Sequence, residues 1–403
     1  MATHDRDDSL DTDRRRLLAG SGLAVTGLAG LAGCLGGGDD GNGDGSDGNG
    51  SDGNGSDGNS DGNDGNGDES NSSNPDGEPV TAEGTSWDDL PDLEGSLTIY
   101  SGRKESQIDP VLRDIEDYYD DLTVEIRYDD NETHLSTILE EGENSPADIF
   151  YTQDSGTLGA LANEGRTTSL PDDIIDTVPD AWRDPDGTWT GVSGRVRCIA
   201  YNTDTWSPSD LPTDIFAYPD DERFQDEMGW RVDSGSFLAW VRALMIEHGE
   251  ETTREYLTDM EDAGVTGYEG GSTTPEAITT GEVTVGFVNH YYVGRLMSDQ
   301  PDAPINVTYT DGDLGSLFNV SGTAVLDSSD EQTLATNFIR HLLGDEGQQF
   351  FVETNKEYAV IPGVDYVHDQ VPPLDEINYP DFDLNQLADI EPAVDLLREV
   401  GIR

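Results

Sequence analysis

The stretch GEVTVGFVNHYYVGRL, residues 281–296, decides how this chain is read. Val283, Val285, Phe287 and Val288 make a β-branched and aromatic run opened by Gly281, the pattern of a buried strand. The run stops at Asn289. His290, Tyr291 and Tyr292 follow, and Val293, Leu296 and Met297 then recur at helical spacing. A strand feeding a helix belongs to an α/β sheet, where ligands sit outside the carboxyl ends of strands. Two adjacent phenols at such a place are binding-site candidates. The pair alone also fits a second reading, in which both are half-buried interface aromatics.

Outward from that stretch, strands and helices alternate, which predicts an α/β protein. Residues 97–100 (LTIY) form a strand ending in the loop SGRKE, and Asp109 with Pro110 is expected to cap a helix carrying Val111, Leu112, Ile115 and Tyr119. Residues 122–128 alternate as a second strand, residues 135–139 continue as a helix ended by Gly142, and residues 148–151 (DIFY) are a third strand before the loop TQDS. Residues 189–201 (WTGVSGRVRCIAY) read as a strand pair or one long bent strand centred on Ser193 and Gly194. Residues 318–326 (FNVSGTAVL) mirror it, so the two are candidate crossovers between lobes. After a strand at residues 229–232, Asp233, Ser234, Gly235 and Ser236 open a helix carried by Phe237, Leu238, Trp240, Val241, Leu244 and Met245. Free N–H groups at such a start, with small residues allowing close approach, make an anion site; an ordinary N-cap serine is the plainer account. Thr274, Pro275 and Gly281 bracket a short helix, residues 334–343 form an amphipathic helix stopped by Gly344, and Ala393, Val394, Leu396 and Leu397 share one face of a last helix. About 310 folded residues with two crossovers predict two lobes around a cleft.

The net charge is −64 on 403 residues, and of the 21 basic residues only Lys104 and Lys356 are lysines. An acidic, lysine-poor surface suits concentrated salt, where screening acts within about 3 Å; the charge is read as halophilic adaptation. The sequence shows no basic patch to neutralise phosphates, which argues against nucleic acid as a ligand. The chain has no Gly-x-Ser-x-Gly elbow, no His-Glu-x-x-His and no P-loop lysine, and its six histidines are scattered, so no enzyme is indicated. Cys198 is expected to be a buried small hydrophobe.

At the N-terminus, DRRRLL at residues 13–18 is a twin-arginine n-region before a Gly/Ala/Leu stretch ending in LAGC at residues 31–34. That ending resembles a lipobox, making Cys34 the lipidated first residue of the mature protein; a plain uncleaved anchor is the alternative. Both tether the protein outside the cell. Residues 35–94, rich in Asp, Gly, Asn and Ser, have no apolar content to bury and are expected to form a disordered acidic linker.

In order, YSGRKE (100–105), SPADIFYTQD (145–154), GVSGRVRCIAYNT (191–203), GWRVDSGSF (229–237), GEVTVGFVNHYY (281–292) and NVSGTAVL (319–326) resemble the periplasmic ferric-ion-binding proteins of ABC importers. The resemblance runs through residues 95–365. It implies a type II periplasmic-binding-protein clamshell hinged on two crossover strands, with residues 95–197 plus 318–365 as N-lobe and 198–317 plus 366–403 as C-lobe. It further implies Fe³⁺ as cargo, bound by Tyr291 and Tyr292 as phenolates, and phosphate or carbonate as synergistic anion on Ser234, Gly235 and Ser236. A small hard trivalent ion favours oxygen donors and drives a phenol into its ionised form. Two positions depart from the family's pattern: Lys104 stands where many members have a histidine ligand, and Gln153 where they have a glutamate. Protonated lysine cannot ligate a metal, so Lys104 with Arg103 is expected to offset the anion's charge, while Gln153 offers a carbonyl oxygen and Asp154 or Asp233 a carboxylate. The implied partners are a permease and its ATPase, the membrane is reached through Cys34, and the receptor is a monomer. Relatives on this scaffold also bind phosphonates, thiamine or polyamines, so a small organic solute or phosphonate is the alternative cargo.

Overall fold

The computed structural model describes residues 84–364 and 371–403. The export signal, Cys34 and the linker as far as residue 83 lie outside the described residues. Folded structure begins before the expected linker end at 94. Trp87 is buried, its indole N–H donates to His341 O at 2.8 Å, and Ser86 Oγ donates to Glu346 at 2.7 Å. The buried Trp87 ring and these hydrogen bonds anchor a segment whose composition otherwise reads as linker.

The elements in chain order are β1 (Gly95–Ser101), α1 (Glu105–Tyr118), β2 (Leu122–Tyr128), α2 (Asn131–Glu141), β3 (Ile149–Thr152), α3 (Ser155–Asn163), α4 (Asp172–Ile175), β4 (Thr190–Asn202), β5 (Met228–Arg231), α5 (Gly235–His248), α6 (Glu250–Asp262), β6 (Thr266–Tyr268), α7 (Thr273–Thr280), β7 (Val285–Asn289), α8 (His290–Asp299), β8 (Ile305–Thr308), β9 (Phe318–Val325), α9 (Gln332–Leu343), α10 (Asp345–Glu353) and α11 (Glu391–Val400). Helix α1 starts at Glu105 with Lys104 as its cap, so Asp109 and Pro110 lie inside the helix and do not begin it. The other helix boundaries follow their signals: Gly142 (φ 59°) ends α2 and Gly281 (φ 74°) ends α7 in positive-φ conformations, and Gly344 stops α9.

The strands run in the order β2-β1-β3-β9-β4-β7-β5-β6, with β8 also on β4. Strand β4 is one long strand of 13 residues, all buried, and it serves both halves of the sheet. Its first half pairs antiparallel with β9, Ser193 opposite Ser321, and its second half pairs with β7 and β8. On the β9 side the parallel trio β2, β1 and β3 follows; on the β7 side, parallel β5 and β6. Continuous apolar runs such as residues 285–288 are what strands covered on both faces require. The helices cover them with their apolar stripes. On α9 these are Leu334, Phe338, Ile339, Leu342 and Leu343, each burial stabilising by about 1.5–3 kcal/mol. Cys198 is buried as expected, and burial pushes its thiol above the ordinary range.

The C-terminal segment spans both halves. Its short turn at residues 384–388 lies on α3, where a β-carbon on Gly156 would come 2.6 Å from Leu387 O. Helix α11 packs on α5 and α6, where Arg254 pairs with Glu399 at 2.5 Å.

Candidate functional site

The strand-to-helix junction read from the sequence is present. Strand β7 ends at Asn289, and α8 begins with His290, Tyr291 and Tyr292. The two tyrosine rings lie 4.2 Å apart, centroid to centroid, with Tyr291 buried and Tyr292 half-buried. Arg231, the last residue of the neighbouring strand β5, donates to the Tyr292 hydroxyl. The same guanidinium pairs with Asp233 at 2.5 Å, and Asp233 accepts from Gly270 N at 3.0 Å. Tyr292 rests directly on the chain at Gly271, where a β-carbon would come 2.1 Å from its ring; only glycine admits this approach. Burial raises the Tyr292 phenol well above its ordinary range, the neighbouring Tyr291 adds to this, and Arg231 opposes it. Over Tyr291 lies a second guanidinium, that of Arg295, 4.9 Å from the ring centroid and donating to Asn355 O at 3.1 Å.

His290, despite its place beside the tyrosines, is a packing residue. Its Nδ1 accepts from Val196 N at 3.2 Å, its ring stacks on Tyr358 at 4.3 Å, and burial depresses its pKa to about 3. This ties the start of α8 to the shared strand β4.

Helix α5 begins one strand away. Ser234 is its N-cap, its Oγ accepting from Phe237 N at 3.2 Å and lying 3.1 Å from Ser236 Oγ. Ser236 Oγ also accepts from Asn289 Nδ2 at 3.2 Å, so the serine turn and the tyrosine pair are joined by one side chain. The plainer account of Ser234 is the one observed here: it caps a helix that starts with small residues. Buried beneath that turn is Arg197 of β4, its guanidinium 4.4 Å from the Trp240 ring centroid and 6.0 Å from that of Phe237. No carboxylate pairs with it among the described residues, and burial lowers its pKa to about 10. A buried cation without an acidic partner, beside a helix start, raises the local affinity for an anion.

The structure corrects one expected role. Arg103 is 1% exposed and does not face an anion: Nη1 donates to Ser193 Oγ (3.0 Å), Ser321 Oγ (2.9 Å) and Glu357 Oε2 (3.1 Å), and Nη2 donates to Glu357 Oε1 (2.7 Å). Its charge is spent on pinning the two crossover strands to Glu357. Burial alone would raise the Glu357 carboxyl, but Arg103 and Ser193 hold it below the usual range. Lys104 is exposed at the start of α1, and Gln153 is half-buried, its N–H donating to Asn131 Oδ1 at 3.2 Å. Among the described residues, no hydrogen bond joins either one to the tyrosines. The sequence analysis missed Arg231, Arg295, Arg197 and Asn289, and the signal for Arg231 was available: an arginine ending the strand next to the tyrosine strand. Among the described residues no three His, Cys, Asp or Glu side chains converge to hold a metal.

Residues 144–384 match the family described as bacterial extracellular solute-binding protein. The chain belongs to that family. As a solute-binding protein it is a receptor and not an enzyme. Among its relatives is "Iron uptake protein A2" of Synechocystis, 31% identical over 242 residues, covering 57% of this chain and 69% of the relative. Another is the "Major ferric iron-binding protein" of Neisseria meningitidis, 27% identical over 274 residues, covering 66% and 81%. Iron-bound HitA from Pseudomonas aeruginosa superposes with a TM-score of 0.69 at 29% identity, over 76% of this chain and 99% of that one. The solute-binding fold is thus type II periplasmic, as the resemblance implied. Among the described residues no helix is long and apolar enough to cross a membrane.

Proposed function

We propose that this protein captures ferric iron on Tyr291 and Tyr292, with an oxyanion at the start of α5, and delivers it to an ABC permease and its ATPase. The observation that carries this is the adjacent phenol pair, held by Arg231 and joined through Asn289 to the serine turn. Two phenolates are hard oxygen donors suited to a trivalent ion. Ser234, Gly235 and Ser236 offer the anion the helix end, with Arg197 beneath. Phosphate and carbonate are the candidates. Lys104 supplies a cation at the cleft edge, and Gln153 is an additional oxygen donor when the lobes close. The lobes are built on residues 95–197 and residues 198–317, hinged at β4 and β9, with the C-terminal segment crossing from α3 to α5 and α6. The protein is exported by the twin-arginine route, acts as a monomer and is tethered at the outer face of the membrane through a lipid on Cys34. The names of its relatives support iron as cargo.

The test uses the purified full chain in concentrated salt. Ferric citrate is added, excess is removed, and the visible spectrum is recorded. A phenolate-to-iron charge-transfer band that disappears in the Tyr291→Phe, Tyr292→Phe double variant is the expected result. No band and no retained iron would overturn iron as cargo and leave an organic solute or phosphonate, whose stacking on the rings survives loss of the hydroxyls.

A further inference from the structure

We infer that Asp154 is a specificity-determining residue that supplies a built-in negative charge at the start of α5 and so disfavours a phosphate dianion there. The inference rests on the proposed anion site. Asp154 follows β3 and caps α3, on the opposite side of the shared strands from α5. Its carboxylate is fixed by three donors. Oδ1 accepts from Gly156 N at 3.0 Å and Thr157 N at 3.3 Å, and Oδ2 accepts from Asn131 Nδ2, whose own Oδ1 is engaged by Gln153 N. Held this way, it cannot swing aside to make room.

The fixed carboxylate points at the serine turn. A β-carbon built on Gly235 would lie 3.9 Å from Asp154 Oδ2, and apart from its chain neighbours and the helix's own backbone no other heavy atom comes within 4 Å of that point. The positive end of the 14-residue helix α5 therefore meets a carboxylate from across the cleft. Asp233, next to Ser234 in the chain, pairs with Arg231 at 2.5 Å, whereas no cation pairs with Asp154 among the described residues. An incoming dianion would sit within a few ångströms of this carboxylate, which no cation pairs, and like charges at that range oppose each other. A singly charged oxyanion such as bicarbonate meets half of that opposition.

Asp154→Asn removes the charge and retains the cap, since asparagine caps helices as well as aspartate; Asp154→Ser is the second variant. Inorganic phosphate and bicarbonate are titrated calorimetrically into the iron-free full chain, with each variant's melting temperature recorded. The expected result is phosphate binding tightened about tenfold or more in both variants and bicarbonate binding changed far less. Phosphate binding unchanged or weakened in variants that melt like the parent overturns the role of Asp154. Ser236→Ala separates this from a failure of the site itself. If neither anion binds any protein and Ser236→Ala leaves the iron band unaltered, the anion site is wrong and the inference falls with it.

Discussion

As a proposed iron ligand, Tyr292 depends on Arg231, which donates to its hydroxyl. Burial makes its phenol harder to ionise, and the Arg231 guanidinium at its hydroxyl works against this, with a smaller contribution from Arg295. Replacing Arg231 with glutamine is expected to weaken ferric binding by about tenfold to a hundredfold, measured by competition with citrate, while Asp233 loses its partner. The pH dependence follows from the same shift. Because the Tyr292 phenol is raised above its ordinary value, it is neutral at pH 7, and binding as phenolate must release its proton. Affinity should rise as pH rises and fall as pH falls, by about tenfold per unit for that proton. A citrate competition that is flat between pH 6 and 8 would count against Tyr292 as a phenolate ligand. The Arg103–Glu357 pair makes a different kind of claim, about stability. Arg103→Met leaves a buried carboxylate uncompensated and should cost about 3–5 kcal/mol, whereas Arg103→Met with Glu357→Gln should recover most of it. Denaturant unfolding of the two variants checks this, and equal destabilisation would mean the pair is not what holds the crossovers.

At the scale of elements, the parts legible in the sequence were those whose causes are local. Strand β7 and helix α8 were visible because a β-branched run gives way to helical spacing at Asn289, and β4 with β9 because their Ser-Gly centres repeat. What stayed hidden depends on distant partners. Arg103 and Glu357 are 254 residues apart, so nothing near Arg103 announced that its charge was already taken, and Arg103 read as an anion ligand. Trp87 was hidden for the same reason: its anchors are His341 and Glu346. The start of α1 was misplaced because Pro110 is a strong helix-start signal, overridden here by packing of Ile108, Val111, Leu112 and Ile115 on the sheet. The C-terminal strap on α3 is likewise a product of the fold. It depends on the bare backbone at Gly156, so Gly156→Ala should push Leu387 away and loosen residues 384–388. Limited proteolysis should then cut near residue 384 well before the rest of the chain, and an unchanged cleavage pattern would show that the strap does not need that approach.

For the molecule as a whole, the charge decides the conditions under which it holds together. A net −64 is carried with 21 basic residues, and the described arginines are largely committed: Arg103, Arg113, Arg166, Arg183, Arg223, Arg231, Arg254, Arg340 and Arg398 all pair with acids. The remaining acids therefore face one another with little internal relief. Their mutual repulsion is a property of the compact state, weaker in an expanded chain, so it subtracts from stability. Salt shortens its reach from about 30 Å at 0.01 M to about 3 Å at 1 M, which is less than the spacing of most surface charges. The melting temperature of the full chain should accordingly climb by about 10 °C or more between 0.1 and 2 M potassium chloride, with most of the gain at the low end, where the screening length changes fastest. Sucrose at matched osmotic strength separates screening from solute exclusion: if it reproduces the gain, charge repulsion is not the cause. Cargo is affected too, because a strongly negative field draws in Fe³⁺ at low salt and repels the proposed anion. Raising the salt should then slow iron capture and ease anion entry, and a capture rate independent of salt would mean that the local pair of phenols, not the field of the whole protein, governs arrival.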